Sequence, residues 1–125
     1  MGGSNDHAGS RVLVVEDEAM IAMLVGDMLA DLGCTVVGPA HCLDEALAVV
    51  GDGAELDVAL LDVNLGGQPV FALADALRAR GVPVIFATGY GDAGLRDIDR
   101  AAPVLQKPFR GEDLARALTE ALGAP

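Results

Sequence analysis

Short apolar runs alternate with helix-period segments from residue 11 to residue 122, and no other feature constrains the fold as tightly. The runs cover 11–15, 34–37, 57–61, 83–87 and 104–106, and Val, Ile and Leu dominate them. Runs of this length suit strands, and the unbroken apolar ones suit strands buried on both faces, as in a parallel sheet. Between them, apolar residues return at helical spacing. Ile21, Leu24, Val25, Met28 and Leu32 mark a first helix that Gly33 stops, with Glu16, Asp17 and Glu18 expected in its first turn. Leu43, Ala46, Leu47 and Val50 mark a second, ended by Gly51 and Gly53. Pro69 is expected to open a third, with Val70, Leu73, Ala74 and Leu77 on its apolar face. The segment 89–102 holds Gly89, Gly91 and Gly94 and only a thin stripe of Leu95 and Ile98, so a fourth helix there should be short. Leu114, Leu118 and Leu122 mark a fifth. Five strands alternating with five helices predict an α/β fold, a parallel sheet covered by helices on both faces.

At 125 residues the chain is one domain, expected over 11–122, after a polar, glycine-rich leader at 1–10 that should be disordered. No apolar run reaches the roughly 18 residues needed to cross a bilayer, and the leader lacks signal-peptide order, so a soluble, cytoplasmic protein without a membrane partner is expected. Cys34 and Cys42 are read as free thiols, since metal sites built on cysteine need more ligands at closer spacing. Of the net charge of −11, residues 1–77 carry thirteen acids against Arg11 alone. That acidity argues against phosphate contacts with nucleic acid and permits a divalent cation. Residues 78–125 carry seven bases and six acids, and Arg96, Arg100, Arg110 and Arg116 are a candidate partner surface or simply solubilising charge.

Val58, Ala59, Leu60 and Leu61 run directly into Asp62. Alone, Asp62 is open to two readings, a turn-capping residue or the working group of a site. In open parallel sheets ligands bind beyond the carboxyl ends of the strands, so the other strand ends decide. The first supplies Glu16 and Asp17, the fourth Thr88 and the fifth Lys107, while the second supplies nothing chemical. Each has its own plain reading as cap, turn or surface residue, but four polar ends out of five make coincidence a poor account. Crowded carboxylates call for a cation, and oxygen ligands with room for water suit Mg²⁺. A carboxylate beside a cation, a lysine and a hydroxyl is a plausible nucleophile towards phosphorus.

This set resembles the receiver domain of two-component response regulators: Glu16 and Asp17, Asp62 after the third strand, Thr88 after the fourth, and Lys107, Pro108 and Phe109 after the fifth. The resemblance covers residues 11–122. It implies a doubly wound, flavodoxin-like (CheY-like) sheet of order 2-1-3-4-5. It implies that Asp62 accepts phosphate from the phosphohistidine of a histidine kinase and that the chain is no conventional enzyme. Asp17, Asp62 and the backbone carbonyl of Asn64 would bind Mg²⁺ directly and Glu16 mainly through water. Lys107 would contact the phosphoryl group, Thr88 would move towards it, and the first helix would face the kinase. Residues 83–91 resemble the PFxFATGY motif of the FAT GUY receivers, with Val84 in place of the usual Phe. Those receivers are often paired with HWE or related (HisKA2) kinases and are often stand-alone. The aromatic switch residue that most receivers carry three positions before the lysine is Val104 here, and Tyr90 with the segment 89–94 is the candidate mobile readout. No output domain is expected after the fifth helix. Such a receiver would bind an unknown downstream protein, act as a phosphate sink, or be a piece of a hybrid kinase.

The strongest reading from another class is a haloacid-dehalogenase-like phosphatase, which also combines Asp, Thr, Lys and Mg²⁺. Its acid–base Asp stands two residues after the nucleophile, where this chain has Asn64, and its acidic pair lies downstream rather than upstream. Sustained turnover of p-nitrophenyl phosphate would favour it. A pseudo-receiver acting only as an interaction module is disfavoured by the complete set of acids and Lys107.

Overall fold

The computed structural model of the chain describes residues 8–66, 68–89 and 95–123. Strands β1 (Arg11–Val15), β2 (Thr35–Ala40), β3 (Val58–Asp62), β4 (Val84–Thr88) and β5 (Val104–Gln106) form one sheet in the order β2-β1-β3-β4-β5. All the pairings in that sheet are parallel. Strand order therefore reverses between β1 and β3, which places a crevice at their carboxyl ends.

Alternate residues of the strands enter two separate cores. Leu13, Val15, Ala59, Leu61, Val84 and Phe86 pack with α2 (Leu43–Gly51) and α3 (Phe71–Ala79). Val12, Val14, Val58, Leu60, Ile85 and Ala87 pack with α1 (Ala19–Asp31) and α4 (Gly111–Ala121). Both β3 and β4 are buried along their whole length, which is why they read as continuous apolar runs rather than alternating ones. Among the described residues no helix is long and apolar enough to cross a membrane.

Several expected boundaries move. Asp62 and Thr88 are the last residues of their strands rather than the first beyond them. The acidic triplet precedes α1, whose N-cap is Glu18 and whose first turn contains no acid. Pro69 does not open α3. It lies in a small antiparallel pair, Asn64–Leu65 with Gln68–Pro69, and α3 starts at Phe71. In place of a fourth α-helix there is a five-residue 3-10 helix, Asp97–Ala101, so the described residues form four α-helices, not five. The expected stripe there fails because Ile98 is exposed whereas Asp99 faces inward. Tyr90 and 91–94 lie outside the described residues, as do 1–7 of the leader.

Strand β2 runs past Gly38 to Ala40 instead of ending there. Leu13 pairs with Val37 but Val15 pairs with Ala40, so one extra residue is absorbed in a bulge. Gly38 takes φ +96°, and a Cβ there would sit 2.7 Å from the Ala40 amide nitrogen. Gly38→Ala should therefore cost about 2 kcal/mol or more, from the left-handed backbone and the displaced neighbour together. Urea denaturation measures it, and a loss below ~0.5 kcal/mol would show that the bulge relaxes freely.

Candidate functional site

The parallel ladder continues one residue past β1 and β5 and so delivers the next side chains in register. The Glu16 amide donates to the Ala40 carbonyl at 3.0 Å, and the Lys107 amide donates to the Thr88 carbonyl at 2.8 Å. Asp62 pairs with Ala87 across the β3–β4 ladder, so Thr88 lies one residue beyond it on the neighbouring strand. Glu16, Asp62, Thr88 and Asp99 are the buried polar residues among those described, and the first three share this end of the sheet.

One carboxylate oxygen from each of Glu16, Asp17 and Asp62 falls within 4.8 Å of the others. Lys107 Nζ sits between two of these acids, 2.7 Å from Glu16 Oε1 and 3.2 Å from Asp62 Oδ2. Each acid also accepts a backbone N–H. Asp62 Oδ1 accepts from Asn64 at 3.2 Å, Glu16 Oε2 from Glu18 at 3.1 Å and Asp17 Oδ2 from Gly66 at 3.0 Å. The strand partner of Asn64 is Pro69, which has no N–H to give to the Asn64 carbonyl.

Burial pushes the Glu16 carboxyl up, and the nearby Asp62 charge adds to it, outweighing the hydrogen bonds from Lys107 and the Glu18 amide. Burial alone would push Lys107 down. Its hydrogen bond to Glu16 and the charges of Asp62 and Glu16 more than offset that, so its pKa is raised. The lysine is thus held as an ammonium among carboxylates. Three acids and one lysine still leave an excess of negative charge in a part-buried, all-oxygen pocket. That donor set suits a hard divalent cation of the Mg²⁺ type.

Glu16, Asp17, Asp62, Asn64, Thr88 and Lys107 are thus brought to one end of the sheet. Sequence reasoning missed His41, whose Nδ1 lies 3.1 Å from the Glu16 carbonyl oxygen. Only the β2 bulge brings it there, and no local spacing announces that.

Beside the site, α1 and the chain after β5 enclose a groove of about 370 Å³ lined by Ile21, Leu24, Met28, Lys107 and Phe109 among others. Met20, Met23 and Leu24 of α1 are exposed. Of the four arginines Arg96, Arg100, Arg110 and Arg116, Arg96 is committed within the fold, whereas the other three are exposed. Arg96 pairs with Asp75 and Asp99, while Arg100, Arg110 and Arg116 lie 4.0, 3.7 and 3.5 Å from Asp97, Glu112 and Asp113.

A sequence model described as the response regulator receiver domain matches residues 12–119. The phyllosphere-induced regulator PhyR of Methylorubrum extorquens is 31% identical over 117 residues, covering 90% of this chain and 43% of that protein. The chain spans about half the length of the curated relatives it matches. The solution structure of SdrG from Sphingomonas melonis Fr1 superposes with a TM-score of 0.81 at 45% identity, covering 91% of this chain and 97% of that one. The receiver domain of the sensor histidine kinase PA1611 from Pseudomonas aeruginosa PAO1, with a magnesium ion coordinated in its active-site cleft, gives a TM-score of 0.77 at 27% identity, covering 94% of this chain and 100% of that one.

Proposed function

This chain belongs to the response regulator receiver family of two-component signalling, and on that premise we propose that Asp62 is its phosphoacceptor, charged by the phosphohistidine of a histidine kinase in a Mg²⁺-dependent transfer. The observation that carries the proposal is Lys107 Nζ lodged between Glu16 and Asp62 in a cluster of three carboxylates.

The chemistry is a phosphoryl transfer between two nucleophiles. An Asp62 carboxylate oxygen attacks phosphorus as the N–P bond breaks. The bond pair returns to the ring, whose other nitrogen carries a proton in the phosphohistidine, so the histidine leaves as neutral imidazole and an acyl phosphate remains on Asp62. The Lys107 ammonium neutralises charge on the transferred oxygens, and the Thr88 hydroxyl hydrogen-bonds another of them. Asp17, Asp62 and the Asn64 carbonyl would hold Mg²⁺ directly and Glu16 mainly through water; when bound, the ion supplies the positive charge that lets an anionic donor approach anionic ligands. The main-chain amides on Asp62 and Asp17 keep those carboxylates oriented.

The exposed apolar face of α1 is the surface we assign to the kinase, of HWE or HisKA2 type by the FAT GUY-like motif at 83–91. Its groove opens beside Lys107, so a helix seated there would deliver a phosphohistidine close to Asp62. Readout falls to Thr88 and Tyr90, because Val104 offers no aromatic ring to rotate. The phosphorylated form would bind a downstream protein or drain phosphate from the kinase.

Transfer from a radiolabelled histidine kinase tests the proposal. Stoichiometric label should appear on the chain with Mg²⁺ and stay absent with EDTA, without sustained hydrolysis of p-nitrophenyl phosphate. Labelling that is indifferent to EDTA would remove the metal from the reading, and rapid multiple turnover would point to a phosphatase.

A further inference from the structure

The strand-end pattern assigns nothing chemical to β2, yet β2 reaches the site through the residue that follows it. We propose that His41 is a positioning residue for the acidic pair, holding the peptide unit that joins Glu16 to Asp17. This role rests on the reading of those acids as cation ligands.

The contacts bracket one residue. The Ala40 carbonyl accepts the Glu16 amide at 3.0 Å, and His41 Nδ1 lies 3.1 Å from the Glu16 carbonyl oxygen. Residues 40 and 41 therefore grip Glu16 at both ends of its backbone. A carbonyl oxygen can only accept, so Nδ1 carries the hydrogen and donates it. The Glu16 carbonyl belongs to the peptide linking the two acids, so fixing its plane fixes the directions in which both side chains leave the backbone. His41 is itself held, because its amide donates to Glu45 Oε1 in α2 at 2.8 Å. The bulge at Gly38 sets the register that brings it there: without the extra residue between Val37 and Ala40, a different side chain would meet Glu16. Second-layer contacts of this kind orient metal ligands without touching the metal.

Side-chain geometry gives a sharp test. The amide nitrogen of asparagine stands as many bonds from the backbone as histidine Nδ1, whereas that of glutamine matches Nε2. His41→Asn should therefore keep the donor, and His41→Gln and His41→Leu should lose it. Mg²⁺ titrated calorimetrically into the full chain should bind about 3- to 10-fold more weakly to the Gln and Leu variants, and within about 2-fold of wild type to the Asn variant. His41 is exposed, so the thermal midpoints should stay within a few degrees and separate positioning from folding. Independently of any metal, long-range ¹⁵N NMR should show the Nδ1–H tautomer as the neutral form of the ring.

A neutral ring protonated at Nε2 would overturn the contact. Equal Mg²⁺ affinity in wild type, Gln and Leu variants would overturn the positioning role alone. A wild-type chain that binds no Mg²⁺ would overturn the metal reading, and this role with it.

Discussion

Asp62→Asn should abolish phosphoryl acceptance from both a phosphorylated histidine kinase and a small-molecule donor such as acetyl phosphate. The amide is nearly isosteric but its oxygen is not an anionic nucleophile, so the step is lost rather than slowed. The fold should survive. Lys107 keeps its contact with Glu16 at 2.7 Å, and the Asn64 amide can still donate to the oxygen of the new side chain. Removing one charge from a cluster of three carboxylates also relieves repulsion. Without divalent cation the variant should therefore be as stable as wild type or more so, by on the order of 1 kcal/mol. With Mg²⁺ that advantage should shrink, because the ion stabilises the wild type by binding its folded state. Radiolabelling and thermal unfolding with and without Mg²⁺ measure both parts. Label retained by a folded Asp62→Asn chain would sink the assignment of Asp62.

The features that were legible in the sequence are those set by local pattern. β3 and β4 are buried on both faces, so their residues had to be apolar throughout, and their ends had to be where polarity begins. That is enough to find Asp62 and Thr88, since each marks the point where a buried run stops, whereas Lys107 follows the short strand β5, whose last residue Gln106 is already exposed. What was not legible depends on partners far away in the chain. The bulge that carries His41 to Glu16 reflects a pairing with β1, and Gly38 looks like a strand terminator until that pairing is known. Pro69 has the composition of a helix start, but the antiparallel partner at Asn64 claims it first. Asp99 is the clearest case. Nothing nearby in sequence suggests that it is fully buried while Ile98 beside it is exposed, because the cause is a pair of arginines, one of them on another helix.

Asp99→Ala should be the most destabilising single substitution proposed for this chain, costing about 3 kcal/mol, at the lower end of what breaking a buried ion pair costs. The carboxylate is 0% exposed and makes three charge-assisted bonds. Oδ1 accepts from Arg78 at 2.6 Å and from Arg96 at 3.2 Å, and Oδ2 accepts from Arg96 Nε at 2.8 Å. Arg96 also reaches Asp75 of α3 and lies 4.6 Å over the Phe71 ring, while Arg78 lies 5.8 Å from the Phe86 ring. Asp99 thus ties the 3-10 segment, which lies between Thr88 and Lys107, to α3, which follows Asp62. Its removal strands Arg78 beside the core, whereas Arg96 retains Asp75 and both arginines keep some access to water, which moderates the loss. Asp99→Asn should cost less than Asp99→Ala, since the amide oxygen can still accept one bond. The pH dependence has a definite sign. Burial alone would raise the Asp99 pKa, but hydrogen bonds and charge from Arg96 and Arg78 outweigh it and hold the carboxyl below its ordinary value. A group with a depressed folded pKa contributes its stability above its unfolded pKa, near ~3.9, and loses it as pH falls through the folded value. The stability gap between wild type and Asp99→Asn should accordingly be full at neutral pH and close progressively below pH ~4. Urea unfolding across that range measures it, and a neutral-pH gap under ~0.5 kcal/mol would mean that the arginines find other partners as good as Asp99.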